Sequence, residues 1–379
     1  MFFEFTEDQK AIRKMAKDFA EKRLSVAVKE DEEKHLFRRE IVSEMGKLGL
    51  LGTVLPEEYG GSNVGFLSTV LITEELARVS ASYSTYSMSQ AVGPGLTILK
   101  YGTKEQKDKY LPGLSTGDIL ICFGSTEPDV GSDVAGMKTT ATEKDDHFIL
   151  NGTKAWITNG PVSDSGIFWA YTDKAKKHKG ISCFIFDLNN TPGISRSPYD
   201  KLGLWCTVTG EIVFSDVKIP NDSLLGPKGD GFNILMEMLG NTRICAAARA
   251  IGVGGACLED SIRYAKERNA FGQPIATFQM IQSQLAEMYV EHEAAKLLVY
   301  QAAANKDRGI QDFIEVATAK FFATHAGVRA ADTALEIYGS YGYSMEYPIQ
   351  RYIRDSRVFP ITEGTSNIQK MIIARHLLK

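Results

Sequence analysis

The chain offers little that would mark it as secreted, metal-bound or membrane-spanning. It has five cysteines in 379 residues, Cys122, Cys183, Cys206, Cys245 and Cys257, scattered and odd in number. That pattern gives neither a disulfide frame nor the paired spacing of a zinc site, so reduced thiols in a reducing compartment are expected. Histidines number only six. One lies between two acids in E-H-E at Glu291–Glu293, which reads as a packed or solvated helix face, and no metal is expected. An excess of base is also missing, with 43 Lys and Arg against 47 Asp and Glu. This leaves no electrostatic footprint for nucleic acid or an anionic membrane. No apolar run approaches the roughly 20 residues of a membrane helix. The N-terminus, M-F-F-E-F-T-E-D-Q-K, is acidic from its start and shows no cleavage site. It is not read as a signal or transit peptide. The expected location is the bacterial cytoplasm, or the mitochondrial matrix if a transit peptide has been removed.

What is present is an ordinary globular composition, 44% hydrophobic and 24% charged, in a chain long enough for two or three domains. Residues 1–118 read as helical. Phe5, Ile12, Met15 and Phe19 form a stripe that Thr6 can cap, P-E-E-Y-G-G breaks the pattern, and helical runs resume near Phe66–Ala77 and Glu105–Leu114. Residues 119–228 change to short alternating and β-branched runs, H-F-I-L-N-G, G-I-F-W-A-Y-T, I-S-C-F-I-F and G-E-I-V-F-S-D-V-K-I-P. Turn signals at Asn151-Gly152, Asn189-Asn190 and Pro192-Gly193 separate them, as in a small barrel or sandwich. Residues 229–379 return to long helices. Phe278, Ile281, Leu285, Met288, His292, Ala295 and Leu298 step by three and four like a bundle seam. The fold class is therefore α+β in three domains. G-V-G-G at Gly252–Gly255 lacks the spacing of a dinucleotide fingerprint and reads as close helix packing.

The chemistry gathers near the C-terminus, in P-I-T-E-G-T-S-N-I-Q-K-M-I-I-A-R-H-L-L-K. Glu363 sits on a Gly-flanked turn; Thr365 or Ser366 can cap the run that follows, in which Ile368, Met371, Ile372 and Leu378 form a helical stripe. A carboxylate on such a loop can act as a base beside a phosphate-bearing ligand, or merely as a helix-capping acid. Elsewhere stand G-S-T-E-P-D-V-G-S-D-V from Gly124, N-G-T-K-A-W-I-T-N-G from Asn151 and E-R-N-A-F-G-Q-P-I from Glu267.

Those three segments and E-G-T-S-N at Glu363–Asn367, in their order and spacing, resemble the acyl-CoA dehydrogenase family over essentially the whole chain. The resemblance implies a helical domain, a central β-barrel and a C-terminal four-helix bundle. It implies FAD, and oxidation of an acyl-CoA thioester to its 2,3-enoyl form with electrons passed to an electron-transferring flavoprotein. The base is then Glu363. Some members place it instead just before the equivalent of Arg243, where this chain has Thr242, which cannot serve. Phe123, Ser125, Thr126, Trp156 and Thr158 match positions around the flavin ring, and Ser132 one near flavin phosphate and substrate. Arg268, Phe271 and Gln279 match a segment whose Arg binds the FAD pyrophosphate of a neighbouring subunit, which implies a homotetramer. Gly339, Thr365 and Asn367 are further cofactor positions. Arg243, Thr172 and Gly364 are expected on the CoA side, with Ser132. Several positions depart from the pattern: Asp129-Val130, Gly240, Ala270, Glu336 and Thr362.

Ser80–Gly95 corresponds to the part of the family that lines the acyl pocket. Glutaryl-CoA-type members carry an Arg there, and this chain has Ser84. No Lys or Arg occurs between Arg78 and Lys100. An uncharged short, branched or alicyclic acyl group is therefore expected. The competing readings are an acyl-CoA oxidase or an enoyl-CoA reductase on the same scaffold, and a catalytically silent helical scaffold.

Overall fold

Thr6 opens the first helix with a full capping box. Its hydroxyl accepts from the Gln9 N–H at 3.2 Å, and Gln9 Oε1 accepts from the Thr6 N–H at 3.1 Å. The computed structural model describes residues 4–310 and 312–379. Helices α1 (Glu7–Phe19), α2 (Ser25–Lys34) and α3 (Arg39–Lys47) pack around α4 (Gly65–Val79) and α5 (Ala81–Gln90). Helix α4 is buried on every face from Phe66 to Ala77, and its two buried acids, Glu74 and Glu75, are met by Arg13 of α1. A wide helical turn, Ala91–Gly95, carries α5 into α6 (Leu96–Tyr101), and α7 (Lys104–Thr116) closes the region on Gly117. Phe5 lies ahead of α1 and sets its ring edge-on to Tyr300, with centroids 5.6 Å apart.

A seven-stranded curled sheet follows, made of β1 (Ile121–Gly124), β2 (Thr140–Glu143), β3 (His147–Thr158), β4 (Ser165–Tyr171), β5 (Ile181–Asp187), β6 (Ile194–Pro198) and β7 (Thr209–Pro220). Its order is β1-β4-β2-β3-β7-β6, with β5 antiparallel to β4. Phe148, Phe168, Phe184, Phe186 and Phe214 fill its inside. Asn151-Gly152 is not a break between strands, as the turn signal suggested. It lies within β3, where the register with β7 shifts between Leu150 and Gly152. Gly152 has φ +146°, and a Cβ there would stand 2.4 Å from Thr139 Oγ1. The residue is a bulge made possible by a missing side chain.

The last region is built on α8 (Gly231–Glu267), 37 residues long. A two-stranded turn, β8 (Asn269–Ala270) and β9 (Gln273–Pro274), leads to α9 (Gln279–Asp307) and α10 (Phe313–Tyr338), then α11 (Ile349–Ser356) and α12 (Ser366–Leu377). Gly252 lets α8 lie against α4: a Cβ would stand 2.5 Å from the Glu74 carbonyl oxygen. This is the close packing expected of G-V-G-G. On α9, Met288 and Ala295 are buried while Ile281, Leu285 and Leu298 are partly covered. Glu291 pairs with Arg329 and Glu293 with Lys296, so both acids beside His292 are engaged. The stripe expected on α12 is only half covered. Gln369 is its buried residue, while Met371, Leu377 and Leu378 face outward. Among the described residues nothing covers that end of the helix.

Candidate active site

Glu363 is held in the left-handed region, at φ +55°, followed by Gly364 at +88°. A non-glycine residue rests there only when its surroundings fix it. Four contacts do so. Lys320 Nζ of α10 donates to the Gly364 carbonyl at 2.7 Å, and Gln369 Nε2 of α12 donates to the same oxygen at 2.8 Å. Arg243 Nε of α8 donates to the Glu363 carbonyl at 3.3 Å. The Thr242 hydroxyl donates to Glu363 Oε2 at 2.5 Å. Thr365, not Ser366, is the cap of α12; its hydroxyl accepts from Ile368 N–H, while Ser366 Oγ meets His325 Nε2 at 2.9 Å.

Three buried cations surround this turn: Arg243, Arg249 and Lys320. Burial pushes each of their pKa values down, Lys320 to about 8, while the Glu363 charge pulls each back up. The turn therefore sits in a pocket of positive charge.

The sheet reaches the turn through Phe123. Gln90 of α5 fixes β1 by a two-way bond: its Nε2 donates to Ile121 O at 3.1 Å and its Oε1 accepts from Ile121 N at 3.0 Å. Phe123 then faces the wide turn after α5. A Cβ on Gly93 would be 3.3 Å from the Phe123 ring and 3.6 Å from the Thr242 methyl. Phe123, Thr242 and Glu363 are thus consecutive neighbours across three regions of the chain. The Thr126 carbonyl accepts from Ala155 N at 2.9 Å, which sets the Ser125-Thr126 loop beside Trp156. Trp156 is another left-handed residue, φ +60°, with 61% of its surface exposed and its ring 4.9 Å from Tyr199. The hydroxyls of Ser125, Thr126 and Thr158 make no hydrogen bond among the described residues. An exposed indole held by a strained backbone beside three free hydroxyls suits a flat heteroaromatic ring with polar edges.

The other expected positions divide. Gly364 belongs to the turn itself, Arg243 reaches it from α8, and Thr365 follows directly; Asn367, one residue beyond the start of α12, is exposed. Ser132 lies on an exposed loop that Tyr171 holds by donating to the Ala135 carbonyl at 2.7 Å. Thr172, next to Tyr171, spends its hydroxyl on Gly180 O at 3.1 Å and Ser182 Oγ at 2.8 Å. No contact joins Ser132 or Thr172 to Glu363. Arg268, Phe271, Gln279 and Gly339 collect at a separate end of the long helices, where the Arg268 guanidinium lies 5.4 Å from the Tyr341 ring. All four are exposed. Glu336, near Gly339, accepts from Gln284 Nε2 at 3.1 Å, and Asp129 pairs with Lys138 at 2.6 Å.

Sequence reasoning missed the contact of Thr242 with the carboxylate, and the roles of Arg249, Lys320 and Gln369. One signal was available. Arg249 and Lys320 interrupt the otherwise apolar runs I-C-A-A-A-R-A-I and V-A-T-A-K-F-F-A, and a charge in such a run is rarely buried without purpose.

Comparison with known proteins adds three family signatures in chain order. The acyl-CoA dehydrogenase N-terminal domain matches residues 6–118, the middle domain 122–217 and the C-terminal domain 229–378. With the fold, these define an enzyme that acts by redox chemistry on acyl-CoA thioesters. The chain belongs to the acyl-CoA dehydrogenase family. It is 44% identical to a glutaryl-CoA dehydrogenase of Desulfococcus multivorans, over 99% of this chain and 97% of that protein. It is 42% identical to the caffeyl-CoA reductase-Etf complex subunit CarC of Acetobacterium woodii, over 99% of both. The butyryl-CoA dehydrogenase structure from Megasphaera elsdenii superposes with a TM-score of 0.97 at 40% identity, covering 100% of each chain.

Proposed function

We propose that the protein is an FAD-dependent acyl-CoA dehydrogenase in which Glu363 removes the α-proton of a short acyl-CoA. The observation that carries this reading is the Glu363 carboxylate, held by Thr242 on a strained turn among three buried cations and next to the Phe123 ring. Thr242 occupies Oε2, which leaves Oε1 to take the proton. The N–H of Glu363 has no partner among the described residues and is available to the thioester carbonyl, whose oxygen gains charge as the proton leaves. Phe123, Ser125, Thr126, Trp156 and Thr158 hold the flavin ring, and FAD when bound supplies the sink for the β-hydride. Arg243 and Gly364 shape the entrance beside the turn, and Ser132 and Thr172 serve the CoA side.

The exposed group Arg268, Phe271, Gln279 and Gly339 supports a homotetramer in which each copy completes the cofactor site of another. The uncovered Met371, Leu377 and Leu378 give such an assembly apolar surface to bury. Electrons go to an electron-transferring flavoprotein, as the Etf-complex relative suggests.

The test is a yellow holoenzyme with about one FAD per chain that bleaches when given a short acyl-CoA. Colourless protein that takes up no FAD would sink the reading. The Acetobacterium relative, named a reductase, favours a second direction on the same site. Oxidation of the reduced holoenzyme by an enoyl-CoA, faster than its reduction by the acyl-CoA, would select that direction.

A further inference from the structure

Arg249 is the one buried cation around the Glu363 turn that has no carbonyl or carboxylate to serve. Arg243 donates to the Glu363 carbonyl and Lys320 to Gly364. Further off, Lys154 pairs with Glu127, and Arg13 with Glu75. Arg249 is 7% exposed, and among the described residues its one hydrogen bond goes from Nη1 to the Thr85 hydroxyl of α5, at 3.1 Å. Its Nε meets no acceptor among them. Its guanidinium carbon stands 5.4 Å from the Phe359 ring centroid. Among the described residues it forms no ion pair. A guanidinium has five donors and does not escape burial by losing its proton. Left in this state it is strongly unfavourable, so the site is built for an anion that arrives from outside.

The position of the group says which anion. Arg249 lies seven residues beyond Thr242 on the same helix, a rise of roughly 10 Å. Long helical side chains lean back toward the helix N-terminus, which brings the guanidinium toward the level of the base. Thr85, its hydroxyl partner, belongs to the α5 segment expected to line the acyl pocket. That segment has no cation of its own, and the fold supplies one from α8.

We propose that Arg249 pairs with a carboxylate at the far end of the acyl chain, so that the preferred substrate is a short acyl-CoA of roughly four to six carbons ending in a free carboxylate. This rests on Glu363 being the base, and it replaces the uncharged acyl group expected from α5 alone. Similarity does not decide the matter, because the glutaryl-CoA relative and the butyryl-CoA structure are 44% and 40% identical to this chain.

The competing role for Arg249 is to set the field around the Glu363 turn, since the two charges feel each other. The two roles separate on substrates matched in length. The holoenzyme is assayed with succinyl-, glutaryl- and adipyl-CoA against butyryl-, valeryl- and hexanoyl-CoA, in wild type, Arg249→Gln and Arg249→Lys. Binding is measured separately by calorimetry in the Glu363→Gln background. One diacid is expected to exceed its uncharged counterpart by at least tenfold in kcat/KM. Arg249→Gln is expected to lose roughly 30-fold or more on that diacid beyond whatever it loses on the uncharged acyl group, mostly in KM, with Arg249→Lys in between. Wild-type preference for the uncharged member of every pair overturns the proposal, and so does an equal fall on both members in Arg249→Gln. A holoenzyme that binds the diacid more tightly through Arg249 but oxidises no member of any pair would keep the carboxylate pairing and sink the role of Glu363. Oxidation of valeryl-CoA in preference to glutaryl-CoA, with no other diacid favoured, does the reverse.

Discussion

The two groups of candidate residues differ in how complete they are. Around Glu363 the two carbonyls of the turn and one carboxylate oxygen are bonded inside the chain, by Thr242, Arg243, Lys320 and Gln369. Around Arg268 the side chains stand in solvent, with Phe271 95% exposed and Met280 82%. Both groups hold a non-glycine residue in the left-handed region, Glu363 and Phe271, so both are fixed by their backbone. On the function proposed above, the first group serves as the acid–base centre within one copy, and the second as half of a cofactor surface that another copy completes.

The largest effect is expected at the acid–base centre. Glu363→Gln keeps the shape of the side chain and removes the proton acceptor. Flavin bleaching by acyl-CoA should slow by about 10²- to 10⁴-fold while acyl-CoA still binds. Stopped-flow absorbance and equilibrium titration measure the two, and wild-type bleaching would move the base elsewhere. Next comes the half-surface. Arg268→Ala removes a bidentate phosphate donor and should weaken FAD retention by roughly tenfold or more, leaving far-ultraviolet circular dichroism unchanged. A variant that keeps its FAD through dialysis, or a flavin-loaded wild-type monomer by light scattering, would break the contrast between the two regions. Thr242→Val tests how finished the first region is. Loss of a bond to a charged group predicts a fall in kcat of about tenfold, with the Michaelis constant for acyl-CoA nearly unchanged.

The smallest expected effect lies away from both regions. Burial on α9 holds His292 neutral, lowering its pKa from 6.5 to about 4. Arg78, Lys296, Glu259 and Glu293 face it, and the net direction is down. Between pH 6.5 and about 4 the unfolded chain takes the proton first, so this contribution to stability is lost as the pH falls through that window. Asp355 opposes it, because burial raises its carboxyl to about 6 and the folded state then holds the extra proton. Comparing wild type with His292→Gln isolates the histidine. The apparent Tm of wild type should drop by a few degrees more than that of the variant, by scanning calorimetry. Parallel curves would show that His292 titrates normally.

The order helix, sheet, helix was legible because each region keeps one hydrophobic period over a long stretch. The turn at Glu363 was legible because Gly364 and the cap at Thr365 punctuate the chain around it, whereas its part as the base came from the resemblance alone. The bulge at Gly152 was not, because Asn-Gly is the same signal in a turn and in a distorted strand. The outward face of α12 was not, because periodicity marks a stripe without saying what covers it. Nor could Arg249 be placed, since its partner Thr85 is 164 residues away. Charge counted along α5 alone does not include the guanidinium that α8 places beside Thr85.

Thr242 and Glu363 are 121 residues apart in sequence and touch in space. One point beside the Phe123 ring can therefore be reached from two addresses in the gene. The position expected to hold the base in some members of the family is the one that holds the hydroxyl here. The carboxylate has two possible landlords, and ownership can pass between them without moving the substrate. In the double variant Thr242→Glu with Glu363→Gly, the turn would also be freed from a backbone shape that glycine adopts without strain. Measurable activity should return to a chain that Glu363→Gly alone leaves inert. Such a fold can wander in sequence by exchanging the keeper of its proton, while the reaction stays where it was.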